Sequence, residues 1–166
     1  AMESLLTALT WISTLGAALI AGVFFGFSTF IMTAFGRRPP AEAIAAMQEI
    51  NVVVVRSGFI VVFLGTAATS AALALLALLR WEDSRAAWWL AGACLYVIGT
   101  FVLTIVRNVP LNDALAAVDP ASPEGATVWK RYHTDWTWWN SVRTAASLAA
   151  TAAFILALRM PMTGSP

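Results

Sequence analysis

Charged residues are absent from four stretches of the chain, at residues 4–36, 57–79, 86–106 and 144–158. A hydrocarbon core of about 30 Å takes roughly 20 apolar residues as helix. The first three stretches are long enough on their own. The fourth reaches that length by extending back through Arg143 into the cluster Trp136, Trp138 and Trp139. The pattern predicts an all-α fold, a membrane-spanning four-helix bundle in a single domain.

Local signals set the expected boundaries. Helix one covers about residues 4–35 and stops at Gly36-Arg37-Arg38-Pro39-Pro40. The prolines suit the first turn of a new helix. From there Ala43, Met47, Ile50, Asn51 and Val54 share one face and Glu42, Glu49 and Arg56 the other, so helix two is predicted over 40–79 with a kink at Ser57-Gly58. Residues 80–85 form a polar connection, helix three covers 86–106, and 107–121 reads as a capping loop with one turn of helix. Ser122 as N-cap and Pro123 at the first position open helix four, 123–159. At 1.5 Å per residue such a helix is roughly 55 Å long, well beyond the hydrocarbon core. The excess of helices two and four lies at one end, so the bundle is expected to protrude on one side with 107–121 as its lid. That end carries Arg37, Arg38, Arg56, Arg107, Lys130, Arg131 and Arg143, against Arg80, Arg85 and Arg159 at the other. The positive-inside rule then puts the protruding end of a multi-pass plasma (inner) membrane protein in the cytoplasm.

Composition agrees: 60% of residues are hydrophobic and 11% charged, against about 45–50% and 25% in soluble domains. A net charge of +1 offers no basic surface for nucleic acid. The single cysteine, Cys94, lies within a span and supplies neither a disulfide framework nor a thiolate cluster. The first apolar run has no basic residue before it and is too long for a signal-peptide core, so it reads as a span.

The candidate chemistry is concentrated in helix four. At 100° per residue, Trp129, Tyr132, His133, Trp136, Trp139, Asn140 and Arg143 fall within an arc about 120° wide. One reading is an interfacial aromatic belt with a snorkelling arginine. The other is an inward-facing site, since ionisable groups inside a span usually face a cavity or a partner. A second polar cluster, Arg107, Asn108, Asn112 and Asp113, surrounds Pro110 after helix three. In helix one, Gly22 and Gly26 form a GxxxG whose default explanation is close helix packing, within or between chains, leaving a homo-oligomer open. Phe24, Phe25, Phe27 and Phe30 beside it could wall a planar ligand. Asn51 lies on the apolar face of helix two, where an amide needs a partner. One histidine is too few for a multi-His metal site, although haem with a single axial histidine stays open. No carboxylate interrupts the apolar runs, which argues against a proton-coupled exporter.

Phe24-Phe25-x-Phe27-Ser28, Met47-Gln48-x-Ile50-Asn51, Asn108-Val109-Pro110-Leu111-Asn112, Trp129-x-x-Tyr132 and Trp136-x-x-Trp139-Asn140-x-x-Arg143-Thr144 occur in this order. In these elements the chain resembles the anthrone oxygenase family of small four-span membrane proteins. The resemblance implies oxidation of a planar lipophilic polyphenol, anthrone to anthraquinone, with O₂ and no classical cofactor. It further implies a base (His133 or Asp113), an oxyanion held by Arg107, Arg143, Asn108 and Asn140, and rings sandwiched by Tyr132, Trp136 and Trp139. Trp129, Asn112, Asn51 and Phe27 complete the expected binding surface. The expected partners are a small aromatic substrate, O₂ and membrane lipid. A non-catalytic quinone- or lipid-binding protein and a haem- or metal-dependent redox protein are the alternatives.

Overall fold

The computed structural model describes residues 2–161. Among them every regular element is a helix, without strands. The helices are α1 (Met2–Gly36), α2 (Pro40–Val54), α3 (Gly58–Leu79), α4 (Ala86–Ala116) and α5 (Pro123–Arg159). Helices α1, α3, α4 and α5 are long and apolar enough to cross a membrane. They close a ring in which α1 and α4 each pack against both α3 and α5. The chain is an integral membrane protein built as a four-helix bundle, as the apolar pattern predicts.

Helix α5 has the expected start and end. Ser122 Oγ accepts from the Gly125 amide at 2.9 Å, and Pro123 stands in the first turn. Two other expectations need correction. The stretch 40–79 is two helices and not one kinked helix: α2 ends at Val54 and α3 starts at Gly58. The run Val52-Val53-Val54-Val55 is stiff at χ1 and a weak helix former. Ser57 then turns extended, donating to the Val54 carbonyl at 2.8 Å and accepting from the Phe59 amide at 3.2 Å. The supposed loop 107–121 is helical as far as Ala116. A π-helical stretch, Thr104–Asn108, ends just before Pro110, which therefore sits in the first turn of a fresh α segment, where its missing N–H matters little. Gln48 fastens the end of α4 by donating to the Leu115 and Val118 carbonyls at 2.8 and 3.0 Å. The cap is thus a docked helix end.

Close packing occurs elsewhere than at the GxxxG. A Cβ on Gly22 would meet nothing within 4 Å, whereas one on Gly92 would stand 2.6 Å from the Phe154 ring. Gly92 is what lets α4 and α5 touch. At the end that holds the chain termini, Arg85 donates to Asp83 at 2.8 and 2.6 Å and to Glu3 at 2.7 Å, and it covers Trp89 at 4.7 Å. This guanidinium holds the Asp83 carboxyl below the usual aspartate range.

The core has two parts. The membrane-level part includes Ile20, Phe24, Phe63, Trp89, Tyr96 and Phe154. The protruding part includes Met32, Ile44, Met47, Leu115, Trp129, Tyr132 and Trp136. The α2–α3 break falls between them, and there the packing opens.

Candidate functional site

A cavity of about 370 Å³ occupies the junction of the two cores. Helix α1 supplies Phe24 and Phe27, α2 Met47 and Asn51, α3 Phe59 and Phe63, α4 Phe101, Thr104 and Asn112, and α5 Trp136 and Arg143. Binding sites for drug-sized molecules are about 300–1,000 Å³. The walls are aromatic on several sides: Phe27 and Trp136 meet edge to face at 5.6 Å, and Phe59 stacks on Phe63 at 5.7 Å. Three π-helical stretches, Phe27–Ile31, Val97–Val102 and Thr104–Asn108, border this space. Such bulges widen a helix locally and recur at functional sites. Here they turn Phe27, Phe101 and Thr104 onto the wall.

Arg143 dominates the site electrostatically. It is 4% exposed, and among the described residues it pairs with no carboxylate. Its Nη1 donates to Thr104 Oγ at 2.9 Å and its Nη2 to Asn140 Oδ1 at 2.8 Å. The guanidinium lies 4.1 Å from the Phe24 ring centroid and 5.4 Å from that of Trp136. Two of its five N–H groups are occupied, and Nε–H is buried without a partner. The Asn51 amide nitrogen and the Trp136 indole nitrogen are also buried without partners. The cavity thus has apolar aromatic walls and one cation without a counter-ion among the described residues. Buried charge of this kind is stabilised by a partner of opposite sign.

The residues singled out in the sequence separate into three groups. Arg143, Trp136, Asn51, Asn112 and Phe27 line the cavity. Asn140, Asn108 and Tyr132 support it from behind. Asn140 positions Arg143; Asn108 donates to the Trp136 carbonyl at 3.3 Å; Tyr132 donates to Asn112 Oδ1 at 2.9 Å. The rest lie elsewhere. His133 Nε2 is 2.8 Å from the Met32 carbonyl, which can only accept, so this nitrogen carries the proton. A Cβ on Gly36 would stand 2.9 Å from it. His133 is therefore an α1–α5 contact and not a base on the cavity wall. Asp113 is exposed on α4 and does not line the cavity. Arg107 stacks over Trp139 at 4.7 Å, and both line a separate groove of about 540 Å³ between α4 and α5. Trp129 stacks on Tyr132 at 5.7 Å inside the protruding core. Thr104, Phe59 and Phe63 were missed by sequence reasoning. Thr104 also donates to the Thr100 carbonyl at 2.7 Å, the usual habit of a threonine in a span, and nothing in the sequence marks its second role.

The fold and site define a class: a four-span membrane protein with an aromatic cavity and a buried cation facing it. The anthrone oxygenase family model matches residues 53–153, from the α2–α3 break to the last third of α5. The chain belongs to the anthrone oxygenase family. No curated protein and no solved structure matches it.

Proposed function

We propose that the chain is a membrane oxygenase that converts a planar, lipophilic phenol of the anthrone type to the quinone, using O₂ and no classical cofactor. The observation that carries this reading is Arg143, a buried cation without a counter-ion among the described residues, on the wall of an apolar, aromatic cavity. An anthrone CH₂ is acidified by two aryl rings and by a carbonyl to which the resulting negative charge spreads. Arg143 and Asn51 both stand on the cavity wall, where the guanidinium meets that oxygen. A cation a few ångströms away favours the anion and lowers the ligand's own pKa. Among the described residues the wall carries neither imidazole nor carboxylate, so the proton leaves to a water molecule that enters with the ligand. The carbanion's electron pair then forms a C–O bond to O₂, reducing it to the peroxide level. The hydroperoxide loses its remaining C–H proton, the O–O bond breaks, water departs and the second carbonyl forms. One CH₂ and one O₂ become one C=O and one H₂O.

In this reading the protruding end faces the cytoplasm from the plasma membrane, because exposed Arg37, Arg38, Arg56, Arg107, Lys130 and Arg131 gather there. The haem alternative loses its histidine, since His133 faces α1, and Met47 is the one side chain of axial-ligand type among the described wall residues. One observation favours a second reading, a non-catalytic carrier of an anionic phenol: no proton acceptor lines the cavity. Oxygen uptake and quinone absorbance with a dihydroxyanthrone, in vesicles holding the protein, separate the two. The oxygenase reading predicts turnover above vesicles alone, falling about 10²–10³-fold in Arg143→Gln. A rate equal to vesicles alone, or unchanged in the variant, leaves the carrier.

A further inference from the structure

The cavity is closed toward the protruding end and open toward lipid. Above it lie buried Met47 and Trp136, with the Tyr132–Asn112 hydrogen bond and Gln48 fastening the end of α4 over them. At the side facing outward between α3 and α4, the wall residues are themselves on the outer surface. Val55 is 57% exposed, Leu64 48%, Ile105 51% and Val109 38%. Leu64, Ile105 and Val109 belong to helices apolar enough to span the bilayer. The α2–α3 break and the π-helical stretch Thr104–Asn108 flank this opening. An apolar rim at this level meets acyl chains, whereas Arg143 behind it meets an anion. A single molecule satisfies both surfaces only if it is amphiphilic.

We infer that the ligand is a tailed phenol taken from the bilayer. Its ionised ring system seats between Phe27, Trp136 and Arg143, and an alkyl or isoprenoid tail leaves through the Val55–Leu64–Ile105–Val109 opening into lipid. The inference rests on the oxygenase reading for the phenolic head. The tail and the lateral route rest on the opening alone. A fatty acid shares the anionic head but lacks the flat ring that the aromatic walls accept, so it binds weakly here.

The test is photolabelling of the whole protein in phosphatidylcholine–phosphatidylglycerol vesicles under nitrogen, with a dihydroxyanthrone whose long alkyl tail ends in a diazirine. The tail is expected to label the segments 54–64 and 105–109 saturably, with the labelling lost on adding excess untagged tailed phenol and retained with the same excess of oleate. Ile105→Trp, which fills the opening, lowers labelling about tenfold. Val102→Trp, exposed on α4 but not on the cavity wall, leaves it unchanged. Unsaturable labelling of all lipid-facing helices, or labelling of 37–39 and 117–122 at the protruding end, overturns the lateral route. Displacement by oleate overturns the ring assignment. Oxygen uptake is read in parallel on the same vesicles in air: labelling at the opening without uptake contradicts the oxygenase reading alone, and uptake with labels at the protruding end contradicts this inference alone.

Discussion

Asn140 ties Arg143 to helix α1: its Oδ1 accepts from Arg143 Nη2 at 2.8 Å while its Nδ2 donates to the Phe24 carbonyl and to Ser28 Oγ, both at 2.7 Å. The amide fixes one side of the guanidinium and joins it to the start of the π-helical stretch in α1. Asn140→Ala leaves a buried carbonyl and part of a buried cation without partners. Loss of stability on the order of 3 kcal/mol is expected, measured by thermal unfolding in detergent, together with weaker ligand binding as Arg143 loses its bearing.

Arg143→Lys keeps the charge but cannot donate to Thr104 and Asn140 while also facing the cavity with a planar fork. Turnover is expected to fall about tenfold, less than for Arg143→Gln. Equal loss in both variants would mean that geometry, and not charge, is what the cavity requires.

Thr104→Asp sets a carboxylate where Arg143 Nη1 now finds a hydroxyl at 2.9 Å. The guanidinium gains an internal counter-ion, and an anionic ligand should lose roughly 1–3 kcal/mol of binding. A neutral phenol ether of the same shape should bind as before. Calorimetry with the two ligands checks the difference.

His133→Gln tests whether the histidine takes part in the chemistry. The glutamine amide can still donate toward the Met32 carbonyl, which His133 now reaches at 2.8 Å. The expected result is turnover within about twofold of wild type and an unaltered pH profile, since general-base removal typically costs 10²–10⁴-fold. A loss of that size would restore His133 to the chemistry.

At the opposite end, Asp83 is held below the ordinary aspartate pKa, first by its side-chain hydrogen bond with Arg85. A depressed carboxylate pKa contributes stability above the unfolded value of about 3.9 and loses it as pH falls through the folded value. The difference in unfolding temperature between wild type and Asp83→Asn should be constant over about pH 5–8 and close below pH 4. A gap that persisted in acid would mean that Asp83 acts by packing.

Most of the fold is legible because the apolar runs and caps encode it directly: Ser122 and Pro123 mark the start of α5, and Arg80–Arg85 marks the turn before α4. What stays hidden is helix register. A period of 3.6 read from side chains cannot reveal that Phe27–Ile31 and Thr104–Asn108 are π-helical. The side-chain pattern therefore reads as a capping loop with one turn of helix where α4 continues to Ala116. The aromatic stripe of α5 allows two readings, a belt and an inward-facing site; Trp129, Tyr132, Trp136, Asn140 and Arg143 are buried, yet an arc of 120° meets two neighbouring helices as well as the space between them. Its edges went to the neighbours: His133 to α1, and Trp139 to the groove shared with α4. The middle, Trp136 and Arg143, faces the cavity, with Asn140 directly behind. Trp129 shares their direction but lies two turns nearer the protruding end, inside the second core.

The central claim is that Arg143 holds an anion in an apolar cavity, and the bound ligand's own ionisation tests it most directly. A chromogenic phenol is titrated in vesicles with the protein under nitrogen, following phenolate absorbance against pH. The account predicts that its apparent pKa falls by one to three units on binding and returns to the vesicle value in Arg143→Gln. An unshifted pKa in the wild-type protein, or the same shift without Arg143, would contradict it.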